Sequence, residues 1–180
     1  MAMSSPPELR RRKGSIASLV ALLVPGTLFG LGLVLLRQRP EFAWIHQIRS
    51  FPWQLWAIAL CGTIATLAGL GDWAFHRWVA KCVIGKKERD CELLALAGGG
   101  VPMFVLMSLA SISRQPLNYL LPVLVVLLFT ATLICYDEFI FHRRRCRKME
   151  TLLHRGLVFG NAAAWFAWAH WCFVKGGAYA

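Results

Sequence analysis

The chain has 180 residues, 57% of them hydrophobic and only 16% charged, with a formal net charge of +11 and a mean hydropathy of +0.53. A water-soluble domain of this length has no use for so much apolar sequence arranged in long blocks, which excludes the soluble-enzyme classes. The basic excess would point to nucleic acid in a soluble protein; here its distribution along the chain points to a membrane instead.

Residues 1–15 read as a basic cytoplasmic tail carrying Arg10, Arg11, Arg12 and Lys13, and residues 16–180 as a single transmembrane domain. The first apolar block, 16–36, can cross a hydrocarbon layer of roughly 30 Å, which takes about 20 helical residues. It is too long for a signal peptide and no small-residue cleavage site follows it, so it is expected to stay as an anchor. The second block, 51–71, runs into Gly71-Asp72-Trp73-Ala74-Phe75-His76-Arg77. A basic loop then returns to Glu92 and the third block, 93–112, where Gly98-Gly99-Gly100 with Pro102 predicts a close helix approach and a kink. The fourth block, 117–141, ends in Glu138-Phe139-Ile140-Phe141-His142-Arg143. Five cations (Arg143, Arg144, Arg145, Arg147, Lys148) separate it from Glu150, His154 and the fifth block, 152–174.

Without water in the bilayer, each block can satisfy its backbone only as a helix. The expected fold is therefore all-α: a polytopic membrane protein of five transmembrane helices, with helices 2–5 forming a four-helix bundle and helix 1 at its edge. Fifteen of the twenty basic residues fall on the side of the N-terminus. That bias predicts a multi-pass protein of the plasma (inner) membrane with the N-terminus cytoplasmic and the C-terminus outside. Its expected partner is a bilayer with anionic headgroups, reached by Arg77, Arg143 and Arg155 as they snorkel to phosphates. Nucleic acid is unnecessary. Trp44, Trp53 and Trp56 on the outer side and Trp73 and Trp78 on the inner side fit interfacial belts. The six cysteines sit in helices or cytoplasmic segments, so no disulfide framework is expected.

Three of the five histidines carry an acid four residues upstream, in a chain with only nine acidic residues. Residues four apart stand on one helical face, so Asp72/His76, Glu138/His142 and Glu150/His154 each aim a carboxylate and an imidazole the same way. Helices 2 and 4 end at the cytoplasmic side and helices 3 and 5 begin there, which brings these six and Glu92 to one depth. On helix 2 the stripe Cys61, Ala65, Gly69, Asp72, His76 carries small residues, the mark of a surface that packs against another helix. Four carboxylates and three imidazoles between four helices suit a transition metal, iron first, manganese or zinc next. Asp137 and Asn161 are candidates to support these ligands from behind.

This set resembles the di-iron carboxylate helix bundles in ligand type and helix number. It departs from them in its spacing of four rather than three, and in having three acid–histidine pairs rather than two. The resemblance implies a metal-dependent oxidation, and the setting implies a lipid or quinone substrate entering from the bilayer. Two other readings stand beside it. The Asp/Glu-x3-His-Arg units can be structural ion-pair junctions of a non-catalytic subunit or scaffold. An ion or proton pathway is the third, though it calls for acids near the bilayer midplane, and helices 1–4 have none there. His46 and His170 are not assigned to the cluster; His170, among tryptophans, is expected to pack in the outer half.

Overall fold

A computed structural model of the chain describes residues 16–79, 94–136 and 148–177. Every regular element among the described residues is helical. Helix α1 spans Ile16–Leu36, as its hydropathy predicts, and contains Pro25. After it the chain turns sharply: the segment Pro40–His46, a tight 3-10 stretch, lies at 113° to Leu22–Leu36. Arg37 Nε donates to His46 Nδ1 across this bend at 3.3 Å, which gives His46 the partner that its sequence context did not reveal.

Helix α2 is Trp53–Trp78. It starts two residues later than the apolar block because Pro52 holds an extended backbone, φ −62° and ψ 147°, at the N-cap. It also runs well past Gly71 and carries the positions of Asp72 and His76 in its last two turns. Helix α3 is Val101–Ile112, preceded by a wider π-helical turn over Ala95–Gly100. Pro102 has no N–H to donate to the turn before it, and three glycines offer little resistance to the altered winding. A Cβ on Gly99 would run into the Thr130 side chain, so the predicted close approach is real, and the neighbour is helix α4 (Leu120–Tyr136). Helix α5, Lys148–Ala169, starts four residues earlier than the apolar block and puts Glu150 in its first turn. It ends in a second π-helical stretch, His170–Val174.

Trp53–Phe75, Pro116–Tyr136 and Lys148–Val174 are long and apolar enough to cross a membrane, and the bent pair Leu22–Leu36 and Pro40–His46 makes a fourth if it counts as one span. The described part of the third block, Ala97–Ile112, is shorter than a span. On α4 the outward residues Leu121, Val125 and Leu128 are 73%, 59% and 67% exposed, while Val123 is fully buried. That is an apolar surface suited to lipid rather than to water.

Two helix contacts organise the interior. The closest is α2 against α5, with α1 resting on α2 through Leu22. The other is α3 against α4, joined to α5 by a core of Ala110, Val123, Trp168, Trp171 and Cys172. In that core Trp168 Nε1 donates to Ser111 Oγ at 2.9 Å. Trp168→Phe keeps an aromatic ring but removes the donor to Ser111 Oγ, which goes on donating to the Met107 carbonyl at 2.7 Å, and loss of that one bond is expected to cost about 1 kcal/mol in thermal unfolding in detergent.

Candidate functional site: the α2–α5 seam

The seam exists because small residues face one another along both helices. A Cβ added to Gly160 would sit 2.9 Å from Ala65 Cβ and 2.9 Å from the Cys61 carbonyl oxygen. One at Gly156 would meet Ala68 Cβ at 3.0 Å, and one at Gly71 would meet Leu153 Cδ2 at 3.0 Å. Residue numbers rise along α2 as they fall along α5, so the helices are antiparallel. In a membrane, where the hydrophobic effect does not drive helices together, such close backbone approach is what holds a pair. At the far end the register is completed by Gln54 and His170, whose Nε2 and Nδ1 atoms are 2.8 Å apart.

Continued the other way, this register brings Asp72 level with the Leu153–His154 turn and the His76 position level with Glu150. The burial agrees. Glu150 is 2% exposed, and Oδ1 of Asp72, Oε2 of Glu150 and Nε2 of His154 are each shielded from solvent. Two carboxylates and an imidazole therefore occupy one end of the seam, out of water, where an ionised group is tolerated only with polar or ionic compensation.

Of the seven residues predicted to bind metal, the structure thus places three side chains, Asp72, Glu150 and His154, at this end. The side chain of His76 lies outside the described part, as do Glu92, Glu138, His142 and the supporting candidate Asp137. Among the described residues, no three His, Cys, Asp or Glu side chains are arranged to hold a metal ion. Asn161, the other supporting candidate, is on the exposed face of α5, where its amide donates to the Leu157 carbonyl of its own helix at 3.0 Å. Among the described residues, its side chain is bonded only within its own helix.

Of the three arginines expected to reach headgroups, two are among the described residues. Arg77 is exposed just beyond the buried acids, with its guanidinium 5.3 Å from the Trp73 ring centroid, and Trp73 meets Trp78 edge-on at 5.7 Å. Such a cation on an aromatic face suits a membrane surface. Arg155 is exposed on α5, and Arg143 lies outside the described residues.

The pairing of Gln54 with His170 was not anticipated. A signal was present: Gln54 is the one amide in α2, and no charged residue precedes Asp72 in that helix. What no local pattern conveys is its partner, 116 residues away. No protein family, curated protein or solved structure matches the chain, so its chemistry has to be argued from these residues.

Proposed function

We infer that this is a five-span membrane protein, N-terminus cytoplasmic, that holds a transition metal at the cytoplasmic end of the α2–α5 seam. The observation that carries this reading is the gathering, at one end of the seam, of Glu150, 2% exposed, with the shielded Asp72 Oδ1 and His154 Nε2. The donors, carboxylate and imidazole, fit iron, manganese or zinc. His76, Glu92, Glu138 and His142 complete the set in this reading, the last three standing in the sequence beside the basic runs that mark the cytoplasmic side. The tight packing of Gly156 and Gly160 keeps water from the seam, and the lipid-exposed helices leave a lateral path for a lipid or quinone. A redox metal bound there would supply oxygen-activating and one-electron chemistry; Asp72, Glu150 and His154 would hold it, the two carboxylates offsetting its charge.

A second reading is favoured by the lack of a three-ligand group among the described residues. In it, the acid–histidine pairs are a polar clasp between helices in a non-catalytic subunit, closed by ion pairs with the arginines. Metal content separates the two. Protein purified in mild detergent is expected to carry about one or two equivalents of Fe, Mn or Zn per chain, as carboxylate-bridged sites do. His142→Ala and Glu150→Gln should each remove it while the protein stays monodisperse. Wild-type protein with far less than one equivalent, after supplementation with each metal, rejects the metal reading in favour of the clasp.

A further inference from the structure

Three contacts tie one set of helix ends together at the side of the bundle away from the buried acids. Gln54 at the start of α2 pairs with His170 near the end of α5, Trp44 after α1 meets Trp171 edge-on, and Ser111 near the end of α3 accepts from Trp168. The apolar stretches long enough to cross a membrane begin or end here, which places this side at the headgroup level. It is the outer side in the five-span reading.

Every helix carries a cation at this side. Arg37 and Arg39 follow α1, Arg49 shortly precedes α2, Arg114 stands between α3 and the span that begins at Pro116, and Lys175 follows Val174. All five are exposed. Glu41 is the one acid among the described residues of this side, so five positive charges less one negative leave +4 with the histidines neutral. Glu41 does not neutralise them, because its Oε2 is shielded and has no hydrogen-bond partner among the described residues. Arg37 gives its Nε to His46. The side chains of Arg39, Arg49 and Lys175 make no bond or ion pair among the described residues.

What meets these charges must also be apolar. Four of the cations have, within two residues, a large apolar side chain that is itself exposed: Leu35 by Arg37, Ile48 by Arg49, Ile112 by Arg114 and Val174 by Lys175. A soluble acidic partner would answer the charge and leave these side chains in water. A zwitterionic lipid would cover them and bring no net charge to offset the +4. A phospholipid with net negative charge does both, with its phosphate at the cations and its acyl chains along their apolar neighbours. We propose that this end of the bundle binds anionic phospholipid of its own leaflet, with Arg39, Arg49 and Lys175 as the principal contacts. This is a second lipid surface, apart from the headgroups expected at Arg77, Arg143 and Arg155, and it does not depend on the metal.

The test uses the full chain reconstituted in phosphatidylcholine vesicles with a trace of photoactivatable phosphatidylglycerol, the adducts being mapped by mass spectrometry of peptides. Adducts are expected in segments 37–50 and 113–117, suppressed by unlabelled phosphatidylglycerol but not by further phosphatidylcholine, and fewer as salt rises. Replacing Arg39, Arg49 and Lys175 by Gln should lower labelling there by about fivefold for each cation removed. Adducts around Arg77 and Arg155 should stay as they were, which shows that the variant is still folded in the bilayer. Labelling at this end that phosphatidylcholine competes equally well, that ignores salt, or that survives the triple substitution would each overturn the proposal, as would adducts confined to the Arg77 side. Should the triple variant aggregate, Arg49→Gln alone and the competition pattern of the wild type decide it.

Discussion

Replacing Gly160 by leucine is expected to force α2 and α5 apart. Even a single methyl there meets the Ala65 Cβ and the Cys61 carbonyl oxygen at 2.9 Å, and the Ala65 backbone nitrogen at 3.0 Å. Two of these three obstacles are backbone of a helix, which cannot swing aside as a flexible side chain can. Ala65 itself is 2% exposed, so there is no space into which the contact can relax. Overpacking of this kind costs about 3 kcal/mol, and in a chain of this size that lowers the midpoint of thermal unfolding by roughly 6–12 °C. Gly32→Leu is the control, because a Cβ at Gly32 meets nothing within 4 Å. It should leave the midpoint where it was. The readout is loss of the monodisperse peak on heating in detergent. Equal midpoints for the two variants would mean that the seam is not what holds the pair.

Metal added to the wild-type protein is expected to raise that midpoint, and Glu150→Gln is expected to abolish the rise. A ligand present at a hundredfold excess over its dissociation constant stabilises the folded state by about 2.7 kcal/mol, a shift of roughly 5–11 °C here. Glu150→Gln keeps the shape of a side chain that is 2% exposed but removes its charge, and a neutral amide is a poor ligand for these ions. Glu150→Ala goes further. It leaves the buried surroundings of the carboxylate uncompensated, and is expected to lower the metal-free midpoint as well, by an amount equivalent to about 3 kcal/mol. The clasp reading predicts another pattern: no metal-dependent rise in the wild type, with the Glu150→Ala loss intact. A metal-dependent rise that persists in Glu150→Gln would remove Glu150 from the site.

The two ends of the α2–α5 pair carry different chemistry for a physical reason. Both ends fall at the limits of the apolar stretches long enough to cross a membrane, where polar side chains cost least. One end, among the described residues, holds Asp72, Glu150 and His154. The other concentrates tryptophans, a carboxamide and a single lysine. The glycine and alanine seam between them is nearly featureless, and it transmits the register from one end to the other.

Much of this was legible in the chain itself. Helix α1 begins and ends where its hydropathy does, because an uninterrupted apolar block of that length has no other stable form in a bilayer. The small residues of α2 marked a packing face, and the triple glycine before Pro102 marked a close approach, since both follow from the size of one side chain. Spacing singled out seven residues, of which the described side chains are Asp72, Glu150 and His154. Helix ends were less legible: α2 continues through Asp72 to Trp78, and α5 starts at Lys148, because charged residues at a membrane surface do not terminate a helix as hydropathy alone implies. What only the tertiary structure decided was which face meets which. That Gly160 lies on Ala65, that Glu150 is buried, and that Gln54 finds His170 are facts about residues far apart in the chain, and no pattern within one helix encodes its neighbour.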